Sequence, residues 1–86
     1  MGNKFDFEVA RKLEEMTFKA AETLDVQNGQ MEKHFGNLQA FIQDSGYDDF
    51  AMDMSEADAA IQEVIAQMKA VSQRIHNYAE RIRDVM

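Results

Sequence analysis

The sequence has no cysteine, no proline and no tryptophan, and it has only four glycines in 86 residues. Without cysteine the chain cannot form a disulfide framework, a thiolate zinc site or a cysteine nucleophile. Without proline, and with so few glycines, nothing divides it into the many short strands of an all-β domain. We therefore expect one small helical domain.

Basic residues are also scarce, since nine Lys and Arg stand against sixteen Asp and Glu for a net charge of −7. This charge repels phosphate, so we expect neither nucleic acid nor an anionic membrane surface as a partner. No Lys or Arg occurs between His34 and Met68. We call six acids of this window the acidic tip: Asp44, Asp48, Asp49, Asp53, Glu56 and Asp58.

Long apolar runs are missing as well. No run approaches the 18 residues that a membrane-spanning helix needs, so we expect no membrane insertion. Asp6, Glu8, Glu14 and Glu15 interrupt the first fifteen residues, and we expect no cleavable signal peptide.

The second half of the chain has an apolar residue at every heptad a and d position. This pattern predicts one long helix over about 47–86. The twelve positions are Tyr47, Phe50, Met54, Ala57, Ile61, Val64, Met68, Val71, Ile75, Tyr78, Ile82 and Val85.

The first half has a similar but less regular seam. It predicts a helix over about 6–43, and a break at Asn28-Gly29 that would give three helices is the alternative. We favour the continuous helix because Leu24, Met31 and Leu38 keep the same seven-residue spacing on both sides of Gly29. The full seam is Ala10, Leu13, Thr17, Ala20, Leu24, Gln27, Met31, His34, Leu38 and Phe41.

A short turn at 44–46 separates the two helices. Gly46 is expected to take a positive φ and stop the first helix, and Asp44 or Ser45 to cap the second. A rival start is Ser55, which begins a Ser-x-x-acid capping pattern. We favour the earlier start because Tyr47 and Phe50 already obey the heptad.

Two helices of similar length joined by a short turn predict an all-α antiparallel hairpin. Apolar residues also flank the heptad seams, at Phe35, Ile42, Ala51, Ile65, Ala79 and Met86. A lone hairpin cannot bury them, so we expect hairpins to pair into a four-helix bundle. The packing residues are Leu13, Leu24, Met31, Leu38, Phe41, Tyr47, Phe50, Met54, Ile61, Val64, Met68, Val71, Ile75, Tyr78 and Ile82.

No pattern of catalytic or metal-binding residues is present. His34 falls on the predicted seam, His76 faces outward, and neither has a second ligand at a metal-binding spacing. The serines lack a nucleophile-elbow setting, and no phosphate-binding loop occurs. We expect no enzyme activity, no metal and no cofactor.

One stretch gives the chain a family resemblance. Gly46-Tyr47-Asp48-Asp49-Phe50 leads into Ala59-Ala60-Ile61, Met68, Val71, Ile75 and Tyr78-Ala79-Glu80. With two long helices and no leader, the chain resembles the ESAT-6/WXG100 superfamily. Those proteins are small substrates, or substrate partners, of bacterial type VII secretion.

The chain departs from that family at two motifs. The Trp-x-Gly turn is missing, with Tyr47 in the place of the Trp, and Tyr78 is followed four residues on by Ile82 instead of the acid of the export signal. The resemblance therefore implies a bacterial cytoplasmic protein exported without a cleavable leader, or a companion of a larger LXG-type toxin. Its partner is a second copy or that toxin. The alternative is an intracellular coiled-coil adaptor, of phage origin, with no secretion role.

Overall fold

The protein is an antiparallel helical hairpin. The computed structural model describes residues 4–39 and 44–85, which form α1 (Phe7–Gln39) and α2 (Ser45–Asp84) and contain no strand. The hairpin measures 64 × 21 × 17 Å, so it is one layer of two helices along its whole length. The expected all-α hairpin is confirmed.

Both helices begin at an aspartate that accepts a backbone hydrogen bond. Asp6 Oδ1 accepts from the Val9 N–H at 3.1 Å, and Asp44 Oδ1 accepts from the Tyr47 N–H at 2.8 Å. Each bond satisfies one of the backbone donors that a helix leaves unpaired at its start. Asp44, in extended backbone, is thus the cap of α2.

The cap at Asp44 corrects two expectations about the turn. Helix α2 begins at Ser45, two residues before the predicted start and ten before the rival start at Ser55. Gly46 lies inside its first turn and has no positive φ, so it does not stop the first helix. The expected end of the first helix at 40–43, with Phe41 and Ile42, lies outside the described residues.

Helix α1 is continuous through Gly29, and the three-helix alternative is wrong. A Cβ at Gly29 would meet no other atom within 4 Å, so this glycine makes no close contact that would bend the helix. Neighbouring turns and packing against α2 are sufficient to hold the helical conformation at this position.

The two helices meet along a stripe whose most buried members are mostly small side chains. Each helix contributes residues three and four apart, which lie on one helical face. The buried members are Ala10, Ala21, Asn28, Tyr47, Ile65, Ser72 and Ala79. The half-buried members are Glu14, Thr17, Leu24, Met31, Phe35, Ala51, Met54, Asp58, Ile61, Met68, Ile75 and Ile82. We call this set the seam.

The seam differs from the predicted one at every second position. In α1 the seam contains Glu14, Ala21, Asn28 and Phe35. The residues predicted in their places, Leu13, Ala20, Gln27 and His34, are exposed. In α2, Phe50, Ala57, Val64, Val71 and Tyr78 give way to Ala51, Asp58, Ile65, Ser72 and Ala79. Volume accounts for part of the difference: Ala51, Ser72 and Ala79 are smaller than the Phe50, Val71 and Tyr78 beside them, and small side chains let two helices approach closely.

Adjacent alanines test which stripe forms the seam. Ala21 is fully buried and Ala20 is exposed. We expect Ala21→Leu to lower the free energy of unfolding by about 1–3 kcal/mol, because the added atoms have no room between the helices. Ala20→Leu should leave it within about 0.5 kcal/mol. Urea unfolding followed by circular dichroism measures both, and an equal loss in the two variants would contradict the observed seam.

Candidate protein interface

Seven of the twelve large apolar side chains exposed in the described residues lie on one side of the hairpin, whereas Phe18, Val26 and Met52 lie elsewhere. The exposed fractions of these seven run from 43% to 70%. We call them the outer face: Val9, Leu13, Met16, Phe50, Val64, Val71 and Tyr78. Within each helix they follow heptad spacing, so they form a stripe beside the seam.

A groove brings the stripes of the two helices together at the open end of the hairpin, where α1 begins and α2 ends. Val9 and Leu13 of α1 form one wall, and Val71 and Tyr78 of α2 form the other. The groove has a volume of about 630 Å³, and Lys4, Asp6 and Arg74 are its charged lining residues. The outer face is therefore one continuous surface shared by both helices.

The middle of this side carries no charge. The heptad positions of α1 that point to it, from Val9 to Asn37, include no Asp, Glu, Lys or Arg. Those of α2 are uncharged from Ala57 to Val71, and they acquire charge at Asp53 towards the tip and at Arg74 towards the open end. The apolar part of this side lies on α2 and at the start of α1, since the α1 positions from Thr23 onward are polar, and an uncharged surface with exposed apolar residues is typical of one that packs against another helix.

The opposite side of the hairpin carries charged residues of both signs. Arg11 pairs with Glu15 at 2.9 Å, and His76 Nδ1 lies 3.3 Å from Glu14 Oε2. Lys69 lies 5.9 Å from the centre of the Phe18 ring and covers it. Exposed pairs of this kind contribute little to stability, and they make this side a solvated surface.

An aromatic cluster occupies the tip end of the hairpin. Phe35 stacks on Tyr47 at 5.9 Å between ring centres, and Phe50 lies 5.8 Å from Phe35. Tyr47 is 7% exposed and its hydroxyl has no partner among the described residues, so desolvation raises the pKa of Tyr47. The cluster fixes Phe50 at the tip end of the outer face.

Two carboxylates from different helices share one amide in the distal half. Gln62 Nε2 donates to Asp58 Oδ2 at 2.9 Å and to Glu32 Oε2 at 3.2 Å. Hydrogen bonding to Asp58 raises the pKa of Glu32, repulsion between the two carboxylates raises it further, and the bond from Gln62 opposes the rise. The described residues contain no cluster of three or more groups able to hold a metal ion.

The predicted packing residues divide between the seam and the exposed surface. Eight lie in the seam: Leu24, Met31, Tyr47, Met54, Ile61, Met68, Ile75 and Ile82. Six are exposed: Leu13, Leu38, Phe50, Val64, Val71 and Tyr78. Val9 and Met16, which also belong to the outer face, flank the predicted seam of the first helix and are not among the predicted packing residues. His34 is exposed and not on the seam.

The comparisons with known proteins give no relative for this hairpin. No protein-family model, no curated protein and no solved structure matches the chain. Within the described residues, neither helix has a stretch long and apolar enough to cross a lipid bilayer.

The carboxylate pair makes stability depend on pH. Because the pKa of folded Glu32 lies above its ordinary value of 4.5, the stability that this group contributes is fully present below that pH and is lost as pH rises through the raised value. We expect the loss of thermal stability between pH 4 and pH 7 to be smaller in Asp58→Asn than in the wild type. Asp49→Asn, which removes an equal charge at the exposed tip, should keep the wild-type loss, and equal behaviour of the two variants would contradict the coupling.

Proposed function

We propose that this chain is a non-enzymatic protein-interaction hairpin that packs its outer face against helices of a partner. The observation that carries the proposal is the outer face itself, with seven large apolar residues exposed along one side whose middle carries no charge. Monomeric proteins rarely expose apolar residues in one continuous patch of this length.

The total exposed surface supports the same proposal. The hairpin exposes 6767 Å², whereas a compact monomer of 9.9 kDa exposes roughly 5,200 Å². The excess arises because two helices in one layer cover only one stripe of each other. The excess of roughly 1,600 Å² for one chain is larger than the roughly 800 Å² that each partner of a standard specific interface buries.

Within this role we propose a protein similar to the WXG100-like substrates of type VII secretion, or to companions that target a larger toxin. Two long helices joined at an aromatic turn support it, because Tyr47 packs on Phe35 and Phe50 near the turn. The companion role is preferred since Ile82 stands where the export signal has an acid. The protein would reside in the bacterial cytoplasm and leave with its partner.

Comparing two bacterial strains tests this proposal. The tagged chain is produced in its source bacterium and in an isogenic strain without the motor ATPase of the type VII system. We expect the chain, or a larger helical protein that co-purifies with it, in the medium of the intact strain alone. Equal amounts in both media, with no co-purifying secreted protein, would favour the intracellular adaptor instead.

A pair of variants connects that result to the outer face. Val64→Asp places a charge in the uncharged middle of the face, and we expect at least a tenfold loss of the co-purifying partner. Ala66→Asp adds the same charge two residues away on the exposed opposite side of α2, and it should have no effect. Retention of the partner by both variants would contradict binding through the outer face.

A further inference from the structure

We infer that the side of the hairpin opposite the outer face carries a second binding site, a pocket between the two helices that accepts an arginine side chain of a partner protein. The pocket lies towards the tip, between Glu32 of α1 and Asp58 of α2. This site does not depend on the outer face, because the two surfaces lie on different sides. Its position, its lining, its unpaired oxygens and its lack of a counter-charge support the assignment.

The pocket opens on the charged side of the hairpin. Glu32 stands three heptads after Arg11, and Ser55, in the opposite wall, stands two heptads before Lys69. Residues at heptad spacing lie on the same face of a helix, so both walls open towards the side that carries Arg11 and Lys69. A partner bound to the outer face would leave the pocket accessible.

The lining suits a cation with an apolar stem. The pocket has a volume of about 200 Å³, and Met31, Phe35 and Met54 form its apolar walls beside Ser55 and the two carboxylates. An arginine side chain can pack its stem on methionines and stack its planar guanidinium on an aromatic ring. Whole small-molecule ligands occupy pockets of roughly 300–1,000 Å³, so this smaller pocket fits a single side chain better.

The polar groups in this part of the hairpin accept hydrogen bonds and lack donors. Gln62 Nε2 bonds to Asp58 Oδ2 and Glu32 Oε2, which leaves the second oxygen of each carboxylate for a guest. Asp58 Oδ1 is buried and has no donor among the described residues. Asn28, one turn before Glu32 in α1, is 5% exposed, and its Oδ1 also lacks a donor there. Buried acceptors without donors cost free energy, and a guanidinium supplies five N–H donors in a planar fork.

No cation of this chain neutralises the two carboxylates. The described residues show no salt bridge to either of them, and α2 has no Lys or Arg before Lys69. Lys33 follows Glu32 directly and therefore lies about 100° away around α1. Hydrogen bonding to Asp58 and repulsion from it raise the pKa of Glu32. A proton relieves this repulsion at low pH, and an arginine from outside relieves it at neutral pH.

Two glycines leave room for the main chain that would carry the arginine. Gly29 and Gly36 lie one turn before and one turn after Glu32, on the same face of α1. A Cβ at either glycine would meet no other atom within 4 Å, so the surface beside the carboxylate is open. A partner's main chain can approach α1 closely there. This favours an arginine within a protein over a free guanidinium compound.

A titration with two peptides tests the pocket. The full-length chain, labelled with nitrogen-15, receives a five-residue peptide with a central arginine between alanines, or the same peptide with citrulline, which keeps the shape and has no charge. We expect the arginine peptide alone to shift the side-chain amide resonances of Gln62, with saturation in the millimolar range. Glu32→Gln and Asp58→Asn should each weaken binding at least fivefold, whereas Asp49→Asn, at the exposed tip, should leave it unchanged.

Three results would overturn the arginine site. Equal binding of a lysine peptide would remove the preference for a guanidinium, and equal weakening by Asp49→Asn would show only general attraction to the acidic tip. Absence of a saturable shift in the wild type would remove the site altogether. Binding of Ca²⁺ or Mg²⁺ to the same residues at lower concentration would assign the pocket to a metal ion instead.

A bulkier residue at the mouth of the pocket separates a protein arginine from a free one. Gly36→Leu adds a side chain where the structure has open space, so the helix should be retained. We expect this variant to bind the arginine peptide at least threefold more weakly, and to bind acetyl-arginine amide as the wild type does. Unchanged binding of both ligands would contradict a close approach of the partner's main chain.

Discussion

The close approach of small side chains along the seam is the constraint on which the rest of this structure depends. Ala10 and Ala21 of α1 meet a face of α2 that includes Ser72 and Ala79, and all four are buried although none has much volume. Once the helices meet through Ser72 and Ala79, the larger neighbours Val71 and Tyr78 lie beside the seam. The outer face is thus a direct consequence of where the helices touch.

Much of the fold follows from sequence periodicity, but the choice of seam does not. The apolar series through Tyr47 and Ile82 correctly predicts α2, and the acid at Asp44 correctly predicts its cap. The predicted seam and the observed seam both have alternating spacings of three and four residues. Periodicity alone can choose between them only by how apolar their residues are. Volume was a missing criterion in α2, because the smaller Ser72 and Ala79 are preferred over Val71 and Tyr78 for close packing.

The seam also explains why this hairpin is suited to binding more than to standing alone. No large side chain in the described part of the chain is fully buried, and Asn28 and Asp58 each keep a buried oxygen without a partner. Burial of apolar area is therefore modest, and unpaired polar groups subtract from it. A partner that covered the outer face would add to the stability of the helices themselves, and its binding would then be coupled to folding.

A clasp of aromatic rings closes the end where both termini lie. Phe5 lies 5.7 Å from Tyr78 and 5.0 Å from Phe7, and the Arg83 guanidinium lies 5.0 Å from the centre of the Phe7 ring. Helices fray from their ends, and two helices in one layer can separate there without disturbing the rest. These contacts join the first turn of α1 to the last turns of α2. They therefore resist separation of the two helices at the end where no connecting turn holds them together.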